Sequence, residues 1–252
     1  MFGHLTFAIL TIERNPSYIE HTLASLFAAG PEAHALSTVH LLVGSKNTDH
    51  LRHCRHHRAL SLHPLSDMEH DEIWQWTLHR RFCHNYHRCL SLPIPAGGGI
   101  CIAEDDVIFR DGFLGLLLAT IHEMEQDDGL KDYCLSLGPS HDFEAERSFY
   151  RGHRYCSYGC GFAGTQCMYY PRHVAHELRD HIWRFGVEQY VKPGDLLIGD
   201  LYGDRMYACP RGLTSHIGAV STGLGGYGSC PSFYRPYELL HADSLAEAND
   251  RP

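Results

Sequence analysis

Three carboxylates stand in a row at Glu104, Asp105 and Asp106, between the apolar runs 100–103 and 107–109. The glycine triplet 97–99 launches the first run, which has the composition of a buried strand. Adjacent acids at the end of a buried strand repel one another, so such a placement calls for a cation to offset their charge. Hard divalent ions such as Mn²⁺ or Mg²⁺ bind carboxylate oxygen, and Mg²⁺ is usually held by one or two carboxylates together with substrate phosphates. The alternative for these residues is a solvated acidic turn that follows a strand. Two further polar features come late in the chain. Asp195 and Asp200 bracket a short apolar stretch, and His216 lies between small and apolar residues just before glycine turns.

The elements that must position these groups follow a βα alternation. Residues 5–12 form a β-branched, apolar run that predicts a buried strand. Asn15 suits a helix N-cap and Pro16 the first helical position. Ile19, Leu23, Leu26 and Phe27 then recur at helical spacing until Gly30-Pro31. Residues 39–44 predict a second buried strand, so the opening is a βαβ unit with parallel strands. Residues 46–71 are polar and rich in histidine, and predict a loop with a short helix; one helix is expected over 72–90. Further on, the patterns predict a helix over 112–124, strands over 133–138 and 164–170, a helix opened by Pro171, a short turn over 195–200 and a strand over 206–209. The expected fold class is therefore α/β, a mixed and mainly parallel sheet flanked by helices, in one domain spanning 1–234 with a tail over 235–252.

Composition narrows the function classes. The chain has 252 residues, 44% hydrophobic and 11% aromatic, which suits a globular domain with a sizeable core. A net charge of −9 argues against a general nucleic-acid binder, which needs a basic face. No apolar run reaches the roughly 20 residues of a membrane span, and no secretory leader is recognisable. The ten scattered cysteines are then expected to be reduced, in a cytoplasmic protein. The His- and Arg-rich stretch 50–57 lacks the spacing of a zinc site and fits a solvated basic segment better, and Cys156 with Cys160 lacks a second ligand pair.

Open α/β sheets bind ligands outside the carboxyl ends of their strands. Thr11, Glu13 and Arg14 follow the first predicted strand, Gly44 and Ser45 the second, and the acids the third. A nucleotide across the first two, with phosphates against a metal at the third, is the layout of a nucleotide-dependent transferase. The order of these features resembles a GT-A glycosyltransferase. Glu104-Asp105-Asp106-Val107 is similar to the E-D-D-V form of the D-x-D motif in the N-acetylglucosaminyltransferase IV group. Asp195-Leu196-Leu197 resembles that group's D-W-L-L, with Leu196 in place of the tryptophan. Residues 215–218 resemble its Q-H-M-G, and residues 8–14 its first strand and uridine-contacting loop.

The resemblance implies a metal-dependent, inverting transfer from a nucleotide-sugar donor, most plainly a UDP-sugar, to a hydroxyl acceptor, with Mn²⁺ or Mg²⁺ as cofactor. It implies Asp106 and His216 as metal ligands, Asp195 as the base that takes the acceptor proton, and Thr11, Glu13, Arg14, Gly44, Ser45, Glu104 and Asp105 around the donor. Asp200 competes with Asp195 for the base, and Asp195 could equally cap a helix. Two other function classes stay open: a non-catalytic nucleotide- or sugar-binding domain, and a metal-dependent phosphohydrolase or nucleotidyltransferase.

Overall fold

Every residue of Leu5–Thr11 (β1) after Leu5 is buried. β1 lies between Val39–Val43 (β2) and Gly99–Glu104 (β4) and runs parallel to both, with Thr11 beside Val43 and Leu10 beside Glu104. A strand that is apolar on both faces between parallel neighbours belongs at the centre of a sheet covered on both sides. This computed structural model describes residues 5–15, 17–30, 36, 38–54, 59–138, 154–157, 164–209 and 212–218. Pro16, Pro31, most of 139–162, including Cys160, and the glycine-rich and C-terminal stretches beyond residue 218 lie outside them.

The remaining strands are Leu60–His63 (β3), Val107–Phe109 (β5), Cys134–Ser136 (β6), Cys156–Ser157 (β7), Cys167–Pro171 (β8), Met206–Ala208 (β9) and Thr214–His216 (β10). The main sheet has eight strands in the order β3-β2-β1-β4-β8-β6-β9-β7. Its first four strands are mutually parallel, β8 runs antiparallel to both β4 and β6, and β9 runs parallel to β6. The expected mixed, mainly parallel α/β sheet is therefore observed. β5 and β10 form a separate antiparallel ribbon that sets His216 beside Val107, next to the acids.

Alternation along the central strands feeds two cores. Phe7, Ile9, Cys101 and Ala103 point to one, which is closed by Ile19–Ala28 (α1) and Phe113–His122 (α4). Ala8, Leu10, Ile100 and Ile102 point to the other, under Leu78–Leu90 (α3), Arg172–Ile182 (α5) and Gly194–Tyr202 (α6). The seven cysteines whose side chains are described are all buried and free of disulfides. None of the described helices is long and apolar enough to cross a membrane.

Four local expectations need correction. α1 begins at Ile19 after Tyr18, with no side-chain cap, so Asn15 is not its N-cap; residues 12–15 instead run across the end of β4, where Arg14 meets the acids. β3 lies where a loop was expected, because its Leu-Ser-Leu-His sequence is only half-buried at the sheet edge and gives a weak strand signal. The single helix expected over 72–90 is two. Asp67–Ile73 (α2) opens on a capping box between Ser66 and Glu69, and α3 opens on Thr77, whose hydroxyl accepts the Arg80 amide. The stretch 195–200 is not a turn but part of α6, since Leu197 and Ile198 bury against the second core and Gly199 does not stop the helix.

Histidine burial adds an acid-sensitive contribution to the stability of this fold. His84 on α3 is 9% exposed and packs edge-on to Trp76. Burial, reinforced by the Arg88 charge, pushes its pKa down to about 4. Below about pH 6.5 the unfolded chain takes up a proton that the folded chain refuses until about pH 4, so stability falls as pH falls through that window. His40, His63 and His87 shift in the same direction, also through burial. We expect His84→Gln to gain stability relative to the unaltered chain as pH falls, by about 2 kcal/mol between pH 7 and pH 4.5 in urea unfolding.

Candidate active site

The strand ends of β1, β2 and β4 lie in register, so the loops after them converge. Asp105, 4% exposed, is held from every side. Its Oδ2 accepts from Thr11 Oγ1 at 2.7 Å and from the Ile12 amide at 3.3 Å, its Oδ1 pairs with Arg14, and its backbone carbonyl accepts from Thr22 Oγ1 at 2.7 Å. Asp106, 5% exposed, accepts on Oδ2 from Arg14 Nη1 at 2.9 Å and faces His216 Nε2 at 3.1 Å. Its Oδ1 is buried with no hydrogen-bond partner among the described residues. Glu104 accepts on Oε1 from Thr165 Oγ1 at 3.0 Å.

One guanidinium thus bridges two adjacent carboxylates, and a histidine shares the second. Arg14 is itself nearly buried, with the Tyr18 ring 4.7 Å from its central carbon. The cation that the three acids require is, in the first place, a side chain of this protein.

The electrostatics follow from burial and partner. Burial pushes Glu104 up to about 7, and the neighbouring Asp106 charge adds to that. Asp105 is pushed up to about 6, because burial outweighs Arg14 and the donors on its oxygens. Burial would raise Asp106 as well, but the His216 and Arg14 contacts outweigh it and hold this carboxyl below its ordinary value. His216 is raised in turn, since Asp106 and Glu104 overcome its desolvation. Asp106 is therefore the member of the row that stays ionised most readily.

The neighbouring loops frame this end of the sheet. Gly44 donates its amide to the Thr11 carbonyl at 2.8 Å, and Ser45 Oγ accepts the Glu13 amide at 3.2 Å while donating to the Asn47 carbonyl at 2.9 Å. The Glu13 carboxylate turns outward to Asn47 and does not join the acids. Asp195 lies in the first turn of α6. Its Oδ2 accepts from the Gly164 amide at 3.4 Å and its Oδ1 from the Leu196 amide at 2.9 Å. Gly164 precedes Thr165, so a two-residue link joins the Asp195 carboxylate to Glu104. Gly164 has φ 91, a left-handed conformation that favours glycine. Asp200 lies about 140° around the helix from Asp195 and pairs with Lys192 instead.

Thr22, Gly164, Thr165 and Gly218 were not singled out in the sequence. Thr22 is hidden as an ordinary residue of α1, and Gly164 and Thr165 as the start of a strand. Gly218 closes the 215–218 motif without a role of its own there; a Cβ at this position would collide with Asp106 Oδ2 and lie 2.9 Å from His216 Nε2, so its glycine leaves the pair room. Among the described residues of the His-rich stretch, His50 reaches this region, with Nε2 3.4 Å from Thr11 Oγ1.

Among the described residues no group of three or more His, Cys, Asp or Glu side chains is arranged to hold a metal ion alone. Two donors do fit one. The partnerless Oδ1 of Asp106 and the imidazole of His216 are an oxygen–nitrogen pair suited to Mn²⁺, which would complete its shell from diphosphate and water.

The chain matches no protein-family model and no curated protein sequence. Its likeness to solved structures is extensive. Galactosyltransferase LgtC, in complex with donor and acceptor sugar analogues, superposes with a TM-score of 0.56 at 11% identity, over 95% of each chain. The fold is that of the GT-A glycosyltransferases. GalNAc-T7 with UDP, GalNAc and Mn²⁺ gives 0.54 at 11% identity over 97% of this chain and 50% of its own. S. aureus TarS 1–349 gives 0.51 at 14% identity over 83% of this chain and 59% of its own. The end of the sheet that carries Glu104–Asp106 is where β1, β2 and β4 of this chain finish side by side.

Because Arg14 and His216 already neutralise the acids, the chain is expected to fold without added metal. A chelator should leave its melting temperature unchanged, while Asp105→Ala, which orphans Arg14 Nη2 and Thr11, should cost about 3 kcal/mol in urea denaturation.

Proposed function

We propose that this protein is a metal-dependent glycosyltransferase that moves a sugar from a nucleotide-sugar, a UDP-sugar in the first instance, to a hydroxyl acceptor. The observation that carries the reading is Asp106. It is an ionised, buried carboxylate at the C-terminal end of a central GT-A strand, with one oxygen unpartnered and a histidine on the other. Apolar strand ends or a solvated acidic turn would leave no such group. The neighbour crystallised with UDP, GalNAc and Mn²⁺ supports the choice of donor and ion.

Asp106 and His216 would hold the ion, which when bound supplies positive charge against the leaving diphosphate. The loops at Thr11–Arg14 and Gly44–Ser45 face the same end of the sheet and receive the nucleotide. Asp105 is a scaffold for them: its oxygens are already taken by Thr11, Ile12 and Arg14, so it orders the loop instead of reaching the donor. Glu104, tied to Thr165, remains the third carboxylate beside the donor.

Asp195 is the base of an inverting transfer. It takes the proton of the acceptor hydroxyl as that oxygen bonds to the anomeric carbon; the bond from that carbon to the phosphate oxygen breaks, and a nucleoside diphosphate leaves. The Gly164 and Leu196 amides fix the carboxylate's orientation, and its link through Thr165 to Glu104 sets it on the same side as the acids. Asp200, paired with Lys192, is not offered for this role.

The test is a thermal-shift panel of UDP- and GDP-sugars with and without Mn²⁺. A donor at a hundred times its dissociation constant stabilises by about 2.7 kcal/mol. We expect a UDP-sugar to raise the melting temperature only when Mn²⁺ is present, and Asp106→Asn to abolish the shift. With a donor in hand, Asp195→Ala should retain the shift and lower nucleoside diphosphate release about 10²-fold or more. No shift with any nucleotide-sugar would overturn the reading, and release of inorganic phosphate or pyrophosphate would reassign the chain to hydrolysis or nucleotidyl transfer.

A further inference from the structure

Arg14 stands where the acids were expected to hold a metal. Its guanidinium spans Asp105 Oδ1 and Asp106 Oδ2, and all three side chains are at most 9% exposed. Residue 14 reaches this point because the chain after β1 crosses the end of β4, with the Ile12 amide and Thr11 hydroxyl tied to the same Asp105. The Tyr18 ring backs the guanidinium from the other side. Asp106 is asymmetric as a result. Oδ2 serves both Arg14 and His216, while Oδ1 is buried and serves no one.

We propose that Arg14 is the resident counter-cation of this site and that a divalent ion binds Asp106 in competition with it. The inference rests on the reading of this strand end as a donor site. A dication arriving at Asp106 Oδ1 meets a guanidinium already on Oδ2 of the same carboxylate, and like charges at that separation in a buried site repel strongly. Metal alone is therefore bound weakly. A diphosphate that arrives with the ion supplies the anion with which a guanidinium pairs best, in bidentate fashion. Arg14 thereby makes metal affinity depend on the nucleotide, and spares the apo-protein from trapping stray cations in its acidic row. The buried Asp105 contact gives Arg14 an anchor that does not depend on Asp106, so the residue keeps a partner when the ion takes Asp106.

The experiment is a Mn²⁺ titration followed by the electron paramagnetic resonance of free Mn²⁺, on the full chain, first without nucleotide and then with UDP. The variants are Arg14→Gln, Arg14→Lys and Asp106→Asn, each checked for folding by circular dichroism. Without nucleotide, R14Q is expected to bind Mn²⁺ at least about tenfold more tightly than the unaltered chain. R14K, whose compact ammonium serves one carboxylate at a time, is expected to fall between them. UDP should tighten Mn²⁺ binding to the unaltered chain more than to R14Q. If R14Q does not fold, the comparison of R14K with the unaltered chain decides. Mn²⁺ affinity in the folded Arg14 variant equal to or below that of the unaltered chain overturns the proposal. If D106N meanwhile loses Mn²⁺, the donor-site reading survives that failure; if D106N binds Mn²⁺ like the unaltered chain, or no protein binds it with or without UDP, both readings fall.

Discussion

Much of this structure depends on one ion pair, the Arg14 guanidinium held between two buried carboxylates. A strand that is apolar on both faces delivers Glu104, Asp105 and Asp106 into the interior of the sheet's end, where isolated charges are not tolerated. Arg14 comes from the loop after the neighbouring strand, and to place it there that loop must lie flat across the end of β4. Thr11 and Ile12 bind the Asp105 carboxylate and Thr22 its backbone carbonyl, so the end of β1 and α1 are both fastened to the residue that follows β4. The geometry of the loops around the site is a consequence of neutralising that charge.

The same constraint distributes roles along the row. Asp105 has its oxygens filled by protein donors and acts on the protein. Asp106 keeps one buried oxygen with no hydrogen-bond partner among the described residues. Glu104, whose pKa burial lifts to about 7, is the acid that yields its charge most easily, and it turns to Thr165 on the far side. Three adjacent carboxylates thus have three different sets of partners. What separates them is that Glu104 ends β4 while Asp105 and Asp106 lie in the turn before β5, so each meets different neighbours.

Much of the fold was legible from residue patterns, because β1, β2 and β4 are long apolar runs whose burial leaves no other element to form. The weak points were the half-buried edge strand β3 and the helix start at residue 19, where tertiary contacts decide. The strand-end location of Thr11, Ser45 and the acids was legible for the same reason. Long-range pairing was not: Arg14 and Asp106 are far apart in sequence, and composition says only that acids need a cation, not that the protein supplies one. Local pattern likewise could not show that Gly164 and Thr165 join Asp195 to Glu104, since both read as the first residues of a strand.

The ribbon of β5 and β10 shows why the site needs the late part of the chain. β5 follows the acids immediately, and its antiparallel partner ends in His216, so pairing Thr214 with Phe109 and His216 with Val107 brings the imidazole to Asp106 with no freedom of register. A slip of one residue would turn that side chain to the opposite face of the ribbon. The Ile217 amide then bonds back to the Asp106 carbonyl at 2.8 Å, and Gly218 passes close over the pair without a side chain to cover it. His216 is therefore fixed by the backbone of the residue whose side chain it serves. An imidazole fixed in this way, on a carboxylate whose other oxygen is buried and unpartnered among the described residues, has its position set by folding, so a ligand of the proposed function would meet little ordering cost there.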